Sequence, residues 1–288
     1  FIILLTVVVF IHEYGHYYYA KKYGVGVTDF SIGFGKEIFG FNDKSGTRWK
    51  FCLIPLGGYV KFFGDRNVFS QAEQQDILKK YSEEDQKKLF VIKPLYQRVL
   101  IVAGGPLANF LLAILIFSSI YMFVGKDFTP AKIEEVSINS PAEKAGLKKG
   151  DIIVGINDNK IESLLEVSMF INTSSENNIS IKVLRNDTEL KLEAKPDITI
   201  AKDAFGNSVK KKVIGIKIGP ASEEFNREKL GPIKAIFYSL KEIWFVCKTT
   251  IEFIGQLFQG KGDTSQLGGP IKIAKISGQV MEFGFLAF

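Results

Sequence analysis

The stretch Phe10-Ile11-His12-Glu13-Tyr14-Gly15-His16 decides how the rest of the chain is read. It is a His-Glu-x-x-His pattern, and it continues an uncharged run from Phe1 to Ile11 without a break. On a helix, residues four apart share a face, so His12 and His16 project together and can hold one Zn²⁺. Glu13 directly follows the first histidine, where its carboxylate reaches a water beside the ion instead of the ion itself. Two neutral nitrogens for a metal and one carboxylate for a proton are the working parts of a metal hydrolase. The chain has 2 histidines, and both are here. Two imidazoles and a carboxylate beside so apolar a run are costly in lipid unless they work there, which favours a true site over a chance match.

Composition agrees with a membrane setting. Of the 288 residues, 46% are hydrophobic and 25 are Phe, rich for a soluble protein of this length. The net charge of +6 is spread through loops and forms no Arg-rich stripe, so the chain is not expected to bind nucleic acid; an anionic lipid bilayer suits the charge better. Cys52 and Cys247 stand alone and far apart, which gives no disulfide framework and no Cys-x-x-Cys metal pair. Both ends of the chain read as cut from a longer protein.

Residues 1–22 read as a first transmembrane helix, since about twenty helical residues span the roughly 30 Å of a hydrocarbon core. Residues 98–125 read as a second, uncharged from Val99 to Val124 between Arg98 and Lys126. It carries Gly104-Gly105-Pro106-Leu107-Ala108-Asn109, small residues that let another backbone approach and one amide that must find a partner in lipid. Counting about 1.5 Å per residue from Lys21 and Arg98 puts His12 roughly 14 Å and Asn109 roughly 16 Å deep, so the two meet if both basic residues mark one membrane face.

Residues 23–97 hold many basic residues, among them Lys36, Lys44, Arg48, Lys50, Lys61 and Arg66, so the positive-inside rule sets this region at the cytoplasm. Asp29 to Gly35 and Trp49 to Phe63 read as short strands with turns at Gly35, Gly40, Asn42 to Gly46 and Gly57-Gly58. They are too apolar for an ordinary cytoplasmic loop and read as a small sheet that dips into the membrane beside the metal. A protease must hold its substrate extended, and a free strand edge can do so by strand addition. Gly33, Phe34 and Gly35 are the expected substrate-binding segment, with Asn109 donating to the substrate backbone. The remainder, Gln71 to Lys93, reads as a polar connector, with a helix start at Ser82-Glu-Glu-Asp85.

Residues 129–220 alternate strands and turns. Ser140-Pro141-Ala142 is a helix start and Gly146 its stop, within the run Pro-Ala-x-x-Ala-Gly-Leu-x-x-Gly-Asp-x-Ile from Pro141 to Ile153. This run resembles the signature of a PDZ domain of the bacterial protease type, which implies capture of extended peptides at a sheet edge. Residues 228–262 place apolar side chains on one face, with Lys234, Lys241 and Lys248 at intervals of seven on another, and read as an amphipathic helix along the membrane interface. Residues 263–288 hold Gly-Pro-Ile and the apolar start of a third transmembrane helix.

Taken in order, a His-Glu-x-x-His helix, an apolar Gly-rich strand region, a Gly-Pro-x-x-Asn helix, a PDZ-like insert and a Gly-Pro-Ile segment resemble the site-2 protease family over the whole chain, and most closely bacterial regulators of sigma-E proteolysis. The resemblance implies a mixed membrane protein: transmembrane α-helices, a membrane-associated β-sheet region and an extracytoplasmic α+β PDZ domain, multi-pass in the bacterial inner membrane, with the active site toward the cytoplasm. It implies a zinc-dependent endopeptidase that cuts the membrane-embedded segment of a single-span, anti-sigma-factor type protein in regulated intramembrane proteolysis. By that likeness His12 and His16 are zinc ligands and Glu13 the catalytic base. The family's third ligand, an Asp in a Leu-Asp-Gly motif, is expected beyond Phe288. The PDZ ligand is expected to be a peptide or the periplasmic segment of the substrate. The alternative from another class is a non-catalytic membrane scaffold that binds partners through its PDZ domain.

Overall fold

The apolar run and the motif form one continuous helix, α1 (Ile2–Lys22), whose last turn holds Lys21 and Lys22, where positive charge complements the carbonyl end of the helix dipole. The structure is a computed structural model describing residues 1–64, 81–174, 177–202, 208–221, 225–258 and 269–282. It divides into two compact units, Phe1–Leu115 and Ile116–Phe288.

In the first unit α1 is followed by two long bent strands, β1 (Val27–Asn42) and β2 (Arg48–Phe62). The expected turns at Gly35 and Gly40 are absent, because both strands run through their glycines and bend instead. Gly33 and Gly35 have φ of +87° and +85°, and Gly57 +141°, values that a side chain resists. The bends fold the ribbon back on itself. Val27 to Ile32 pairs with Phe62 to Gly58 on one side and lies against Arg48 to Phe51 on the other, while Phe39 to Asn42 pairs with Phe51 to Arg48. Gly58 to Phe62 is thereby left as an outer edge.

The turn between the strands is tied to α1. Asp43 accepts hydrogen bonds from Tyr17 Oη at 2.9 Å and Trp49 Nε1 at 3.1 Å, and from the Ser45 and Thr47 backbone N–H groups at 2.8 and 2.9 Å. Phe30, buried, stacks on Trp49 with ring centres 4.1 Å apart, and Tyr17 meets both rings edge-on. A short helix, α2 (Glu83–Gln86), is capped by Ser82, as the Ser-Glu-Glu-Asp run predicts. Ala20, Val25, Val27 and Ile101 form the buried core, with Tyr19, Val60, Phe62 and Phe90 packed around it.

Helix α3 (Leu95–Phe123) is, among the described residues, the one helix long and apolar enough to cross a membrane. In α1 the polar motif and four tyrosines, Tyr14, Tyr17, Tyr18 and Tyr19, interrupt the apolar run. The expected third span at Phe283–Phe288 lies outside the described residues.

In the second unit a six-stranded antiparallel sheet runs in the order β11-β4-β5-β7-β8, with β6 on β5. Its strands are β4 (Ala131–Val136), β5 (Ile152–Ile156), β6 (Asn159–Lys160), β7 (Ile179–Arg185), β8 (Thr188–Ala194) and β11 (Ile216–Pro220). Two small ribbons complete the unit, β3 (Lys126–Asp127) with β12 (Arg227–Glu228) and β9 (Asp197–Lys202) with β10 (Ser208–Val213). Helices α4 (Pro141–Lys144) and α5 (Leu164–Thr173) cover the sheet. Between them they bury Ile133, Ile153, Ile156, Val167, Ile179, Ile181 and Val183, inward-facing residues of alternating strands and the inner face of α5.

The signature run from Pro141 to Ile153 has a local structural reason at each polar or glycine position. Ser140 Oγ accepts from Glu143 N–H at 3.2 Å, and Gly146 and Gly150 have φ of +84° and +96°. Asp151, its side chain 1% exposed, accepts from the Arg185 guanidinium at 2.7 Å through both oxygens and from Lys148 N–H at 2.9 Å. Burial pushes the Asp151 carboxyl up, and the guanidinium with the Lys148 N–H more than offsets this, holding it below the usual carboxylate range.

Two further helices belong to this unit, α6 (Pro232–Phe258) and α7 (Pro270–Glu282). α6 is seated through Ser239, whose Oγ lies 3.0 Å from Ser118 Oγ, and through Phe245 against Phe170. It leaves Ile233, Phe237, Trp244, Ile251 and Phe258 more than 60% exposed.

Candidate metal centre and active site

The site forms where α1 meets the middle of α3, and it forms because side chains are missing there. A Cβ on Gly15 would lie 2.1 Å from the Gly104 carbonyl oxygen, and one on Gly104 would lie 2.6 Å from the Gly15 oxygen. The two backbones therefore touch, the close approach that small residues permit between helices. Gly105 is the next residue along α3. A Cβ there would stand 2.4 Å from His16 Nε2 and 2.7 Å from His12 Nε2, so both imidazoles point at a space that only glycine leaves open.

His12 Nε2 and His16 Nε2 are 3.3 Å apart. Two nitrogens each about 2.0–2.1 Å from one tetrahedral zinc stand roughly 3.3 Å from each other, so the pair has the spacing of two ligands on one ion. The outer nitrogens are both engaged by α3. His16 Nδ1 donates to the Ile101 carbonyl at 2.8 Å, which leaves its Nε2 lone pair facing inward. His12 Nδ1 lies 3.2 Å from Asn109 Nδ2. Pro106, inside α3, supplies no N–H to the Val102 carbonyl and loosens the helix ladder next to the Ile101 carbonyl that His16 uses. The donor set fits zinc in chemistry and in spacing, and it is partial. The two nitrogens come from this pair, and no group of three metal-binding side chains is formed among the described residues.

Glu13 is buried, 9% exposed, and lies with His16 on a cavity of about 260 Å³. The other walls are Gly58, Tyr59, Val60 and Phe62 of β2 and Ile101 and Val102 of α3. A Cβ on Gly58 would come within 2.9 Å of Glu13 Cγ, so this glycine makes room for the carboxylate.

The residues singled out in the sequence divide into two groups. His12, Glu13, His16 and Asn109 come together at the α1–α3 contact. Gly33, Phe34 and Gly35 sit at the bend of β1, where Phe34 is paired with Ile54 and 43% exposed, and the strand that lines the cavity is Gly58 to Phe62 of β2. Sequence reasoning marked Gly57-Gly58 as a turn; the signal for a role at the site was the double glycine within an apolar strand, which indicates close approach by another group.

The sequence profile of peptidase family M50 matches residues 1–288. A protein of Mesorhizobium japonicum named "Putative zinc metalloprotease mll0638" is 39% identical over 99% of this chain and 78% of its own length. Metalloprotease MmpA of Caulobacter vibrioides is 34% identical over 96% of this chain and 71% of its own. Among solved structures, the PDZ domain of an SdrC-like protein of Listeria monocytogenes is similar over 32% of this chain and 88% of its own, at 23% identity and a TM-score of 0.25.

Proposed function

Since this chain belongs to peptidase family M50, and is thereby a zinc metalloendopeptidase of the site-2 type, we propose that it cuts peptide bonds within the bilayer, in the membrane-spanning segment of a single-span regulatory protein of the anti-sigma-factor type. The observation that carries this reading is the pair of Nε2 atoms 3.3 Å apart over the bare face of Gly105, next to the cavity that holds Glu13. His12 and His16 would hold the zinc, which when bound would supply a Lewis acid to polarise the scissile carbonyl and lower the pKa of a water to about 7. By likeness to the family the set would be completed by the Asp of a Leu-Asp-Gly motif, which residues 1–288 do not contain.

Glu13 takes the proton of the attacking water on a carboxylate oxygen and passes it to the leaving amide nitrogen. Its burial at the cavity wall excludes competing solvent. The substrate is held extended against the outer edge Gly58 to Phe62, where no further strand pairs with β2 among the described residues and the cavity holding Glu13 lies alongside; that edge is preferred to Gly33 to Gly35. Tyr59, Val60, Phe62, Ile101 and Val102 around the cavity favour an apolar side chain next to the scissile bond.

The setting is a bacterial inner membrane, multi-pass, with α1 and α3 as spans. Support comes from the apolarity of α3, from the exposed Ile38, Phe39 and Leu53 on the bent ribbon, and from the exposed apolar face of α6, suited to the membrane interface. The sheet unit acts as a PDZ domain on the extracytoplasmic side. There the free edge of β11 and helix α5 flank a groove of about 430 Å³, lined by Val167, Ile171, Ile214, Ile216 and Ile218, which takes an extended peptide of the substrate or a partner.

Glu13→Gln tests the assignment. Zinc content and folding should match the wild type, while cleavage of a membrane-embedded reporter falls by about 10²–10⁴-fold, the usual worth of a general base. Cleavage at the wild-type rate would sink the reading.

A further inference from the structure

The amide of Asn109 carries more information than its place on α3. Its Nδ2 lies 3.2 Å from His12 Nδ1, and its Oδ1 is buried with no hydrogen-bond partner among the described residues. An N–H aimed at His12 Nδ1 obliges that nitrogen to accept, so the ring proton sits on Nε2. Nε2–H then points at the bare Nε2 of His16, 3.3 Å away, and the pair satisfies itself with no room for a cation. That arrangement leaves a buried carbonyl oxygen unpaired, which is unfavourable.

Turning the carboxamide half a turn about its Cβ–Cγ bond removes the conflict, because oxygen and nitrogen of an Asn amide exchange places with almost no change of shape. Oδ1 then accepts from His12 Nδ1–H, and the orphaned oxygen has its partner. His16 is already held the same way, its Nδ1–H on the Ile101 carbonyl. Both Nε2 lone pairs now converge on the space kept open by Gly105, and two lone pairs 3.3 Å apart repel unless a cation lies between them.

We infer that Asn109 is a positioning residue for the metal centre: its carboxamide oxygen holds His12 in the tautomer whose Nε2 is free to bind zinc. This rests on the function proposed above, and it assigns Asn109 to the histidine in place of the substrate backbone. Ile101 and Asn109, two turns apart on α3, thus set the tautomers of the two α1 histidines as a matched pair of acceptors. Outer partners of this kind are worth about 10–100-fold in metal affinity.

The test is zinc affinity, measured by competition with a chromophoric chelator on the purified full chain in detergent micelles. Asn109→Leu, similar in size but without an acceptor, should bind zinc 10–100-fold more weakly, an expectation taken from the usual worth of such partners. Asn109→Asp, which accepts from Nδ1–H but cannot donate when ionised, should bind at least as tightly as the wild type. Wild-type affinity in Asn109→Leu, the result expected if the amide serves only the substrate, overturns the inference. So does an Asn109→Asp affinity below the wild type, and this variant decides the matter alone should Asn109→Leu not fold. His12→Ala separates the two layers: if it loses zinc while Asn109→Leu does not, only the role of Asn109 fails, and if it keeps wild-type zinc, the metal reading itself fails.

Discussion

Where α1 meets α3, the backbones touch because Gly15, Gly104 and Gly105 carry no side chain, and the reacting groups stand in the room this leaves. In the sheet unit the reverse holds. Ile133, Ile153, Ile156, Ile179 and Ile181 fill the interior, and no reacting group is buried among them. The two regions thus fail in opposite directions, the first when an atom is added and the second when one is removed. The helix contact is built from vacancy, and the sheet unit is built from filling.

Gly105→Ala probes this contrast at the helix contact, where the expected effect on zinc is largest. The new methyl would stand 2.4 Å from His16 Nε2, so one imidazole must leave, and zinc affinity should fall by 100-fold or more, about 3 kcal/mol. The helix itself should gain, since Ala is favoured over Gly in a helix interior by about 1 kcal/mol. Chelator competition together with thermal melts of both proteins stripped of zinc shows whether metal is lost without loss of fold; a lower melting point of the stripped variant would mean that the site and the packing are not separable. Ile181→Ala is the matching deletion in the second region. Ile181 is fully buried, so its truncation should cost the sheet unit about 2–5 kcal/mol, read as faster amide exchange in β5, β7 and β8, with zinc affinity unchanged.

The smallest effect is electrostatic. Asp151 is held below the usual carboxylate range in the folded unit, so its contribution is present above its unfolded pKa, about 3.9, and is lost as pH falls through the lower folded value. Asp151→Asn should therefore cost about 1–3 kcal/mol at pH 7 and less and less as the solution is acidified below about pH 4, where the wild type loses the same interaction. Melting the two proteins side by side across that range checks it; a gap that stays constant with pH would remove Asp151 from the account.

Much of this arrangement was readable in advance, and the limits follow from physics. A four-residue spacing sets two imidazoles on one helix face whatever surrounds them, and an uncharged run with a small-residue patch marks α3 as a close neighbour. In the sheet unit the helix start at Ser140-Pro141-Ala142 and its stop at Gly146 were legible from capping chemistry. What stayed hidden was phase. An uncharged helix shows no polar face, so nothing in α3 told whether Asn109 looked at substrate or at His12. The bent ribbon was hidden for a related reason: Gly33, Gly35 and Gly57 can each end a strand or bend it, and only the pairing of Val27 to Ile32 on both sides shows that they bend it. Val27 to Ile32 is paired on both sides, so among the described residues Gly58 to Phe62 of β2 is the outer strand on the side of the cavity.

The knot at Asp43 has a consequence for how a substrate enters. It binds the ribbon's turn to Tyr17, one residue after His16, so the ribbon and the helix that carries Glu13 are tied to each other. On the function proposed above, a helical membrane segment would have to unwind to lie along this ribbon, and helix-weakening residues near the scissile bond would then count in what is cut.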